Sequence, residues 1–203
     1  NTKELTIDPW VSISIPNWFS DTAAFDIDVD NSDNVYVYGS RNIKVSKFSP
    51  TGTPLWTYTS SWMGDDWYGD LAVEGNGNAY ISGKNHGDAQ IQKVSPTGVP
   101  VWNNFVAITN LGNDFQELAF RLKFNPSKTT LVTAGSYMLA RVGTVNLTTG
   151  DVVITSYCGS PSTATEIRSI CTNPKGQFFG VTCKSGTTLA RIVGFNDLPS
   201  FFL

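Results

Sequence analysis

Apolar and polar residues alternate in short runs along most of this chain. In DIDVDNSDNVYVYGS (26–40), Ile27 and Val29 fall on one side of an extended segment, and Asp26, Asp28 and Asp30 on the other. Successive side chains of a strand point to opposite faces, so this spacing predicts a strand, with NSDN as a tight turn and VYVYG as the returning strand. Similar runs, rich in Val, Ile, Thr, Tyr, Phe and Trp, are broken throughout by Gly, Pro, Asn and Ser, which supply the backbone angles turns need. No stretch keeps a 3.6-residue apolar period over a helix length, so helix is expected to be almost absent.

The pattern also recurs. DLAVEGNGNAYISGK (70–84) repeats 26–40 in its acidic start, turn, aromatic residue and closing glycine; LKFNPSKTTLVTAGS (122–136) and ICTNPKGQFFGVTCK (170–184) are weaker copies. With Asp30, Glu74, Asn125 and Asn173 as anchors, the spacings are 74−30 = 44, 125−74 = 51 and 173−125 = 48 residues. A second half repeats as well: VSKFSPTGTPLWTYT (45–59) matches IQKVSPTGVPVWNNF (91–105), while VGTVNLTTGDVVITS (142–156) keeps the glycine and loses the tryptophan. Each unit therefore reads as strand a, tight turn, strand b, loop, strand c, a turn around SPTG, and strand d. About 40 to 50 residues is the usual length of a four-stranded propeller blade.

The segment DIDVDNSDNVYVYGS and its echo DLAVEGNGNAYISG resemble the bacterial-type β-propeller repeat of secreted and surface proteins. TGTPLWTYT and TGVPVWNNF are similar to the glycine-to-tryptophan element of quinoprotein-type propellers, which implies that Trp56 and Trp102 pack between blades. The fold class expected is an all-β propeller in one domain, 1–203, with units at 25–68, 69–115, 116–165 and 166–203. Residues 1–24 are expected to pair with the last unit and close a four-bladed ring, an arrangement that leaves no open sheet edge. Five blades, or a larger ring completed by a second copy or by further sequence, are the alternatives.

Composition narrows the function classes. The charged fraction is 15% and the net charge −3, so no basic patch for nucleic acid is expected. No apolar run is long enough to cross a bilayer as a helix, and NTKEL opens without a leader pattern, so no membrane insertion is expected. Few lysines, many Asn, Ser, Thr and Gly, and the sequon at Asn146 fit a secreted or cell-surface location. Cys158, Cys171 and Cys183 allow at most one disulfide; Cys171 should face Phe178 or Phe179, out of register with Cys183, and buried free thiols are the simpler expectation. The aspartate-rich 26–37 stretch fails as an EF-hand, since Asn31 and Val37 stand where glycine and glutamate belong.

Candidate chemistry concentrates in the d-to-a loops, which the propeller resemblance places around one mouth of an axial channel. SSWMGDDWYGD (60–70) aligns with PNWFSDTAAFD (16–26). Trp18, Asp21, Trp62, Asp65, Asp66, Trp67 and Tyr68 combine aromatic rings with carboxylates as sugar-binding surfaces do. Asp26, Asp70, Glu117 and Glu166 begin strand a in each unit; together they could hold calcium or another cation in the channel, or else accept backbone hydrogen bonds there. No cofactor other than such a cation is expected. His86 is the only histidine, and no GxSxG, HExxH or P-loop occurs. The expectation is therefore a non-catalytic extracellular binding or structural module with a protein or glycan partner, and a homo-oligomer left open; a lectin is the first alternative and a hydrolase with an acidic site such as Asp65 and Asp70 the second.

Overall fold

The computed structural model describes residues 23–40, 43–61, 69–85, 88–105, 118–137, 139–158, 165–184, 190–196 and 200–202, and every regular element among them is a strand. The first sheet holds β1 (Ala23–Val29), β2 (Val35–Ser40), β3 (Lys44–Phe48) and β4 (Pro54–Thr59). The second holds β5 (Leu71–Val73), β6 (Ala79–Asn85), β7 (Asp88–Val94) and β8 (Pro100–Phe105). The third holds β9 (Leu118–Phe124), β10 (Leu131–Tyr137), β11 (Leu139–Val145) and β12 (Val152–Cys158). The fourth holds β13 (Thr165–Thr172), β14 (Phe178–Lys184), β15 (Ala190–Asn196) and β16 (Ser200–Phe202). Within each sheet the strands lie in chain order and pair antiparallel. The tail of the chain supplies the fourth sheet's own last strand, β16, whereas residues 1–22 lie outside the described residues.

Turn chemistry sets this repetition. In every a-to-b turn one residue has positive φ: Asp33 (59°), Gly77 (91°), Lys128 (55°) and Gly176 (82°). Two of the four are not glycine, so the turn geometry outweighs the steric cost of that region for L-residues. The anchor side chain explains why: Asp30 Oδ1 accepts the N–H groups of Ser32 and Asn34, and Asn173 Oδ1 those of Lys175 and Gln177. These short polar side chains mimic a backbone turn. With Asp30 so engaged, the calcium-loop pattern is a turn anchor.

Three apolar layers lie between successive sheets. Tyr36, Tyr38 and Val45 of the first sheet pack on Leu71, Val73, Ala79 and Ile81 of the second. Ala72, Tyr80 and Ile91 meet Leu122, Phe124, Leu131 and Val145; Val132, Ala134 and Val142 meet Ile167, Ile170 and Phe178. Each sheet thus stacks face to face on the next, a propeller-like arrangement in which strand a is innermost. Among the described residues no further sheet covers the two outermost faces: Ile27 and Val29 of β1 are 64% and 45% exposed, Val181 and Ile192 of β14 and β15 are 41% and 79% exposed. The described residues form an open series of four sheets, and closure into a ring is not seen among them.

Cys171 pairs with Phe179 and Cys183 with Glu166, so the two cysteines are out of register as expected. Cys171 is an exposed free thiol, which corrects the expectation of burial: it lies one residue past Ile170, on the opposite face of β13.

Candidate functional site

The innermost strands are joined by side chains that bond the backbone of the next sheet. Asp26 Oδ2 accepts the Leu71 N–H at 3.1 Å, Asp28 Oδ2 accepts the Val73 N–H at 2.7 Å, and Asp70 Oδ2 accepts the Leu122 N–H at 2.8 Å. Arg121 Nε continues the series, donating to the Arg168 carbonyl at 2.7 Å. Adjacent inner strands present N–H groups that their own sheets leave unpaired, and a carboxylate one sheet back satisfies them. From the opposite side, Lys128 Nζ donates to the Val29 carbonyl at 2.6 Å and stands 3.8 Å from Asp28, tying the third sheet's turn to β1.

Two of the expected metal-site carboxylates therefore meet. Asp70 is pushed up to about 8, first by burial and then by a hydrogen bond with Asp26 and the proximity of its charge. At neutral pH Asp70 therefore keeps its proton, which lies in its hydrogen bond with Asp26. Glu117 lies outside the described residues, and Glu166 is on β13 with its side chain outside them. No group of three or more His, Cys, Asp or Glu side chains placed to hold a metal occurs among the described residues. Trp18, Asp21, Trp62, Asp65, Asp66, Trp67 and Tyr68, together with His86, also lie outside the described residues.

The junctions between sheets hold a second constellation, one that the sequence pattern did not single out. Between the first and second sheets, Asp30, Tyr36, Lys47 and Trp56 interlock. Tyr36 Oη donates toward Asp30 Oδ2 at 3.0 Å and lies 2.9 Å from the Gly77 carbonyl; Lys47 Nζ is 3.3 Å from Asp30 and 4.9 Å above the Tyr36 ring. Trp56 meets Tyr36 edge-on and donates its indole N–H to the Pro96 carbonyl at 2.9 Å. Glu74, Tyr80, Lys93 and Trp102 repeat this between the second and third sheets, with Lys93 and Trp102 both bonding the Leu147 carbonyl.

The third sheet breaks the pattern. Strand register places Val132 where Tyr36 stands, Thr144 where Lys47 stands and Val153 where Trp56 stands, with Asn125 as the turn anchor. All of these replacements except Asn125 are much smaller than the residues they replace. A cleft of about 600 Å³ opens there, lined by Asn125, Pro126, Ser127, Thr130, Thr144, Pro174, Lys175, Gly176 and Phe178. Two equivalent glycines measure the difference. A Cβ on Gly77 would meet the Tyr36 hydroxyl at 2.8 Å, whereas a Cβ on Gly176 would meet nothing within 4 Å. The loss of tryptophan in VGTVNLTTGDVVITS was the legible signal; its consequence needed the register of β10, β11 and β12.

No family model and no curated protein matches the chain. Similarity to solved structures is broad. A protein from Lactobacillus plantarum matches with TM-score 0.59 and 16% identity over 90% of this chain and 54% of its own. The extracellular domain of a putative one-component system from Bacteroides thetaiotaomicron matches with TM-score 0.58 and 9% identity, over 93% of this chain and 23% of its own. The chain thus spans about half or less of the length of these two proteins. An endo-arabinase from B. thetaiotaomicron matches with TM-score 0.48 and 15% identity, over 89% of this chain and 80% of its own. The likeness to an endo-arabinase stands against the expectation of a chain that is not an enzyme, and that expectation is withdrawn: a fold by itself decides neither for nor against catalysis. It assigns no activity to these residues.

Proposed function

We propose that this chain is an extracellular binding module whose recognition site is the cleft between the third and fourth sheets, and that its ligand is an oligosaccharide. The cleft carries the reading. Its volume lies in the range of small-molecule sites, roughly 300 to 1,000 Å³, and its lining offers hydroxyls and an amide from Ser127, Thr130, Thr144 and Asn125 beside the apolar surfaces of Pro126, Pro174 and Phe178. Neutral sugars are recognised by that combination of hydrogen-bonding edges and flat apolar contact. Lys175 is the single charged residue of the lining. The extracellular domain among the similar structures supports a secreted or surface setting.

The test is to refill the cleft as its two sister junctions are filled. Thr144→Lys with Val153→Trp should abolish binding in calorimetry against the oligosaccharide that a glycan array selects, with the thermal midpoint unchanged or raised. Undiminished binding by this variant would move recognition to another surface, such as the Trp18, Trp62 and Trp67 loops. Absence of any array signal, with a peptide library positive instead, would replace the ligand class by a protein.

A further inference from the structure

The two open faces of the sheet series are built to the same residue template as its interior. Moving 44 residues along the repeat carries Ile27, Val29, Val35 and Val37 onto Leu71, Val73, Ala79 and Ile81. The second set is buried, at 4%, 0%, 0% and 0% exposure, against the first sheet, whereas Ile27 and Val29 of the first set are 64% and 45% exposed. At the other end, strand register puts Phe179, Val181 and Ile192 of the fourth sheet at the positions of Tyr36, Tyr38 and Val45. Tyr36, Tyr38 and Val45 are fully buried, while Val181 is 41% and Ile192 79% exposed.

One open face is thus of the kind that receives a preceding sheet, and the other of the kind that receives a following one. The chain already joins these two kinds of face three times, at the layers between its own sheets. Contiguous exposed β-branched residues at such positions mark an interaction surface rather than scattered surface apolars. We propose that a second copy of this chain covers them, the fourth sheet of each copy stacking on the first sheet of its partner so that two copies complete one ring. Such a head-to-tail contact closes when the second junction forms with the same geometry as the first. The faces carry complementary halves of a single interface, so another copy presents the surface that each lacks. The inference does not depend on the cleft or its ligand.

Sedimentation velocity of the full chain should give a dimer. Ile192→Asp and Ile27→Lys, each at an exposed site and therefore compatible with folding, should each weaken the dimer at least about tenfold by placing an uncompensated charge in an apolar contact. Mixing the two variants should restore dimer, because the carboxylate introduced on β15 of one chain then faces the ammonium introduced on β1 of the other at one junction, while the second junction is unaltered. Wild-type chain that stays monomeric at about 100 µM, where even a weak specific dimer forms, would overturn the proposal. So would a monomer whose thermal midpoint falls with either substitution, since the two faces would then be closing on each other within one chain.

Discussion

Asp70 carries a pKa of about 8, against an ordinary value of 3.8, because it is buried and shares a hydrogen bond with Asp26. The folded state therefore binds a proton that the unfolded chain gives up above about pH 4, so this group's stabilisation is complete below pH 4 and is lost as pH rises toward 8. Asp30 acts in the opposite sense. Burial alone would raise it, but hydrogen bonds from Asn34, Ser32 and Tyr36 hold it below 3.8, and its contribution is lost only as pH falls below that value. The thermal midpoint should therefore fall between pH 5 and 8 and level off above, as read by circular dichroism across that range. Asp70→Asn, which can still accept from Leu122 and donate to Asp26, should flatten this slope; an unchanged slope would show that other groups set it. Glycines test a different residue-scale term. Gly98 has φ of 83°, and a Cβ there would stand 2.9 Å from the Trp56 ring. Gly98→Ala should cost about 2 kcal/mol or more in urea unfolding, whereas Gly176→Ala, with nearly the same φ but open space, should cost about 1 kcal/mol.

At the level of strands, the inner-strand carboxylates act as staples between sheets. Asp28→Ala leaves the buried Val73 N–H without its acceptor, and an unsatisfied buried donor costs about 1 to 3 kcal/mol. Asp28→Asn keeps an acceptor and should recover most of that loss, a comparison that separates the hydrogen bond from the charge facing Lys128. The strands and their turns were legible in the sequence because alternation, Asx anchors and the SPTG turns all act locally. The side chains of Asp26 and Asp28 were likewise placed on the face opposite Ile27 and Val29. The use of Asp26 on Leu71 was readable only as one of two options and that of Asp28 on Val73 not at all, since both depend on how two sheets approach, and local periodicity holds no information on that. The cleft was hidden for the same reason: Val132, Thr144 and Val153 look like an ordinary weaker copy until register shows that they replace three interlocking residues of one junction.

Across the whole molecule, stability should be graded along the series of sheets. Among the described residues, the second and third sheets are covered on both faces by apolar layers, while the first and fourth are each covered on one. In architectures where each unit touches only its neighbours, stability is close to a sum of unit and junction contributions. The three junctions are unequal: the first two combine an apolar layer with the carboxylate, tyrosine, lysine and tryptophan quartet, and the third has its layer and the Arg121–Arg168 bond but no such quartet, beside the cleft. The fourth sheet is then held by the weakest junction and should open first. Native-state hydrogen exchange checks this directly: amides of β6, β7 and β10 should exchange slowest, those of β13 and β14 distinctly faster, and those of β2 and β3 in between, since local opening free energy follows buried contacts. Val132→Tyr with Thr144→Lys and Val153→Trp restores three of the four quartet residues at the third junction, with Asn125 kept at the carboxylate's place, and should slow exchange in β13 and β14 toward that of β2. Uniform exchange across all four sheets would instead show that they unfold as one cooperative unit, with the junction differences too small to separate them.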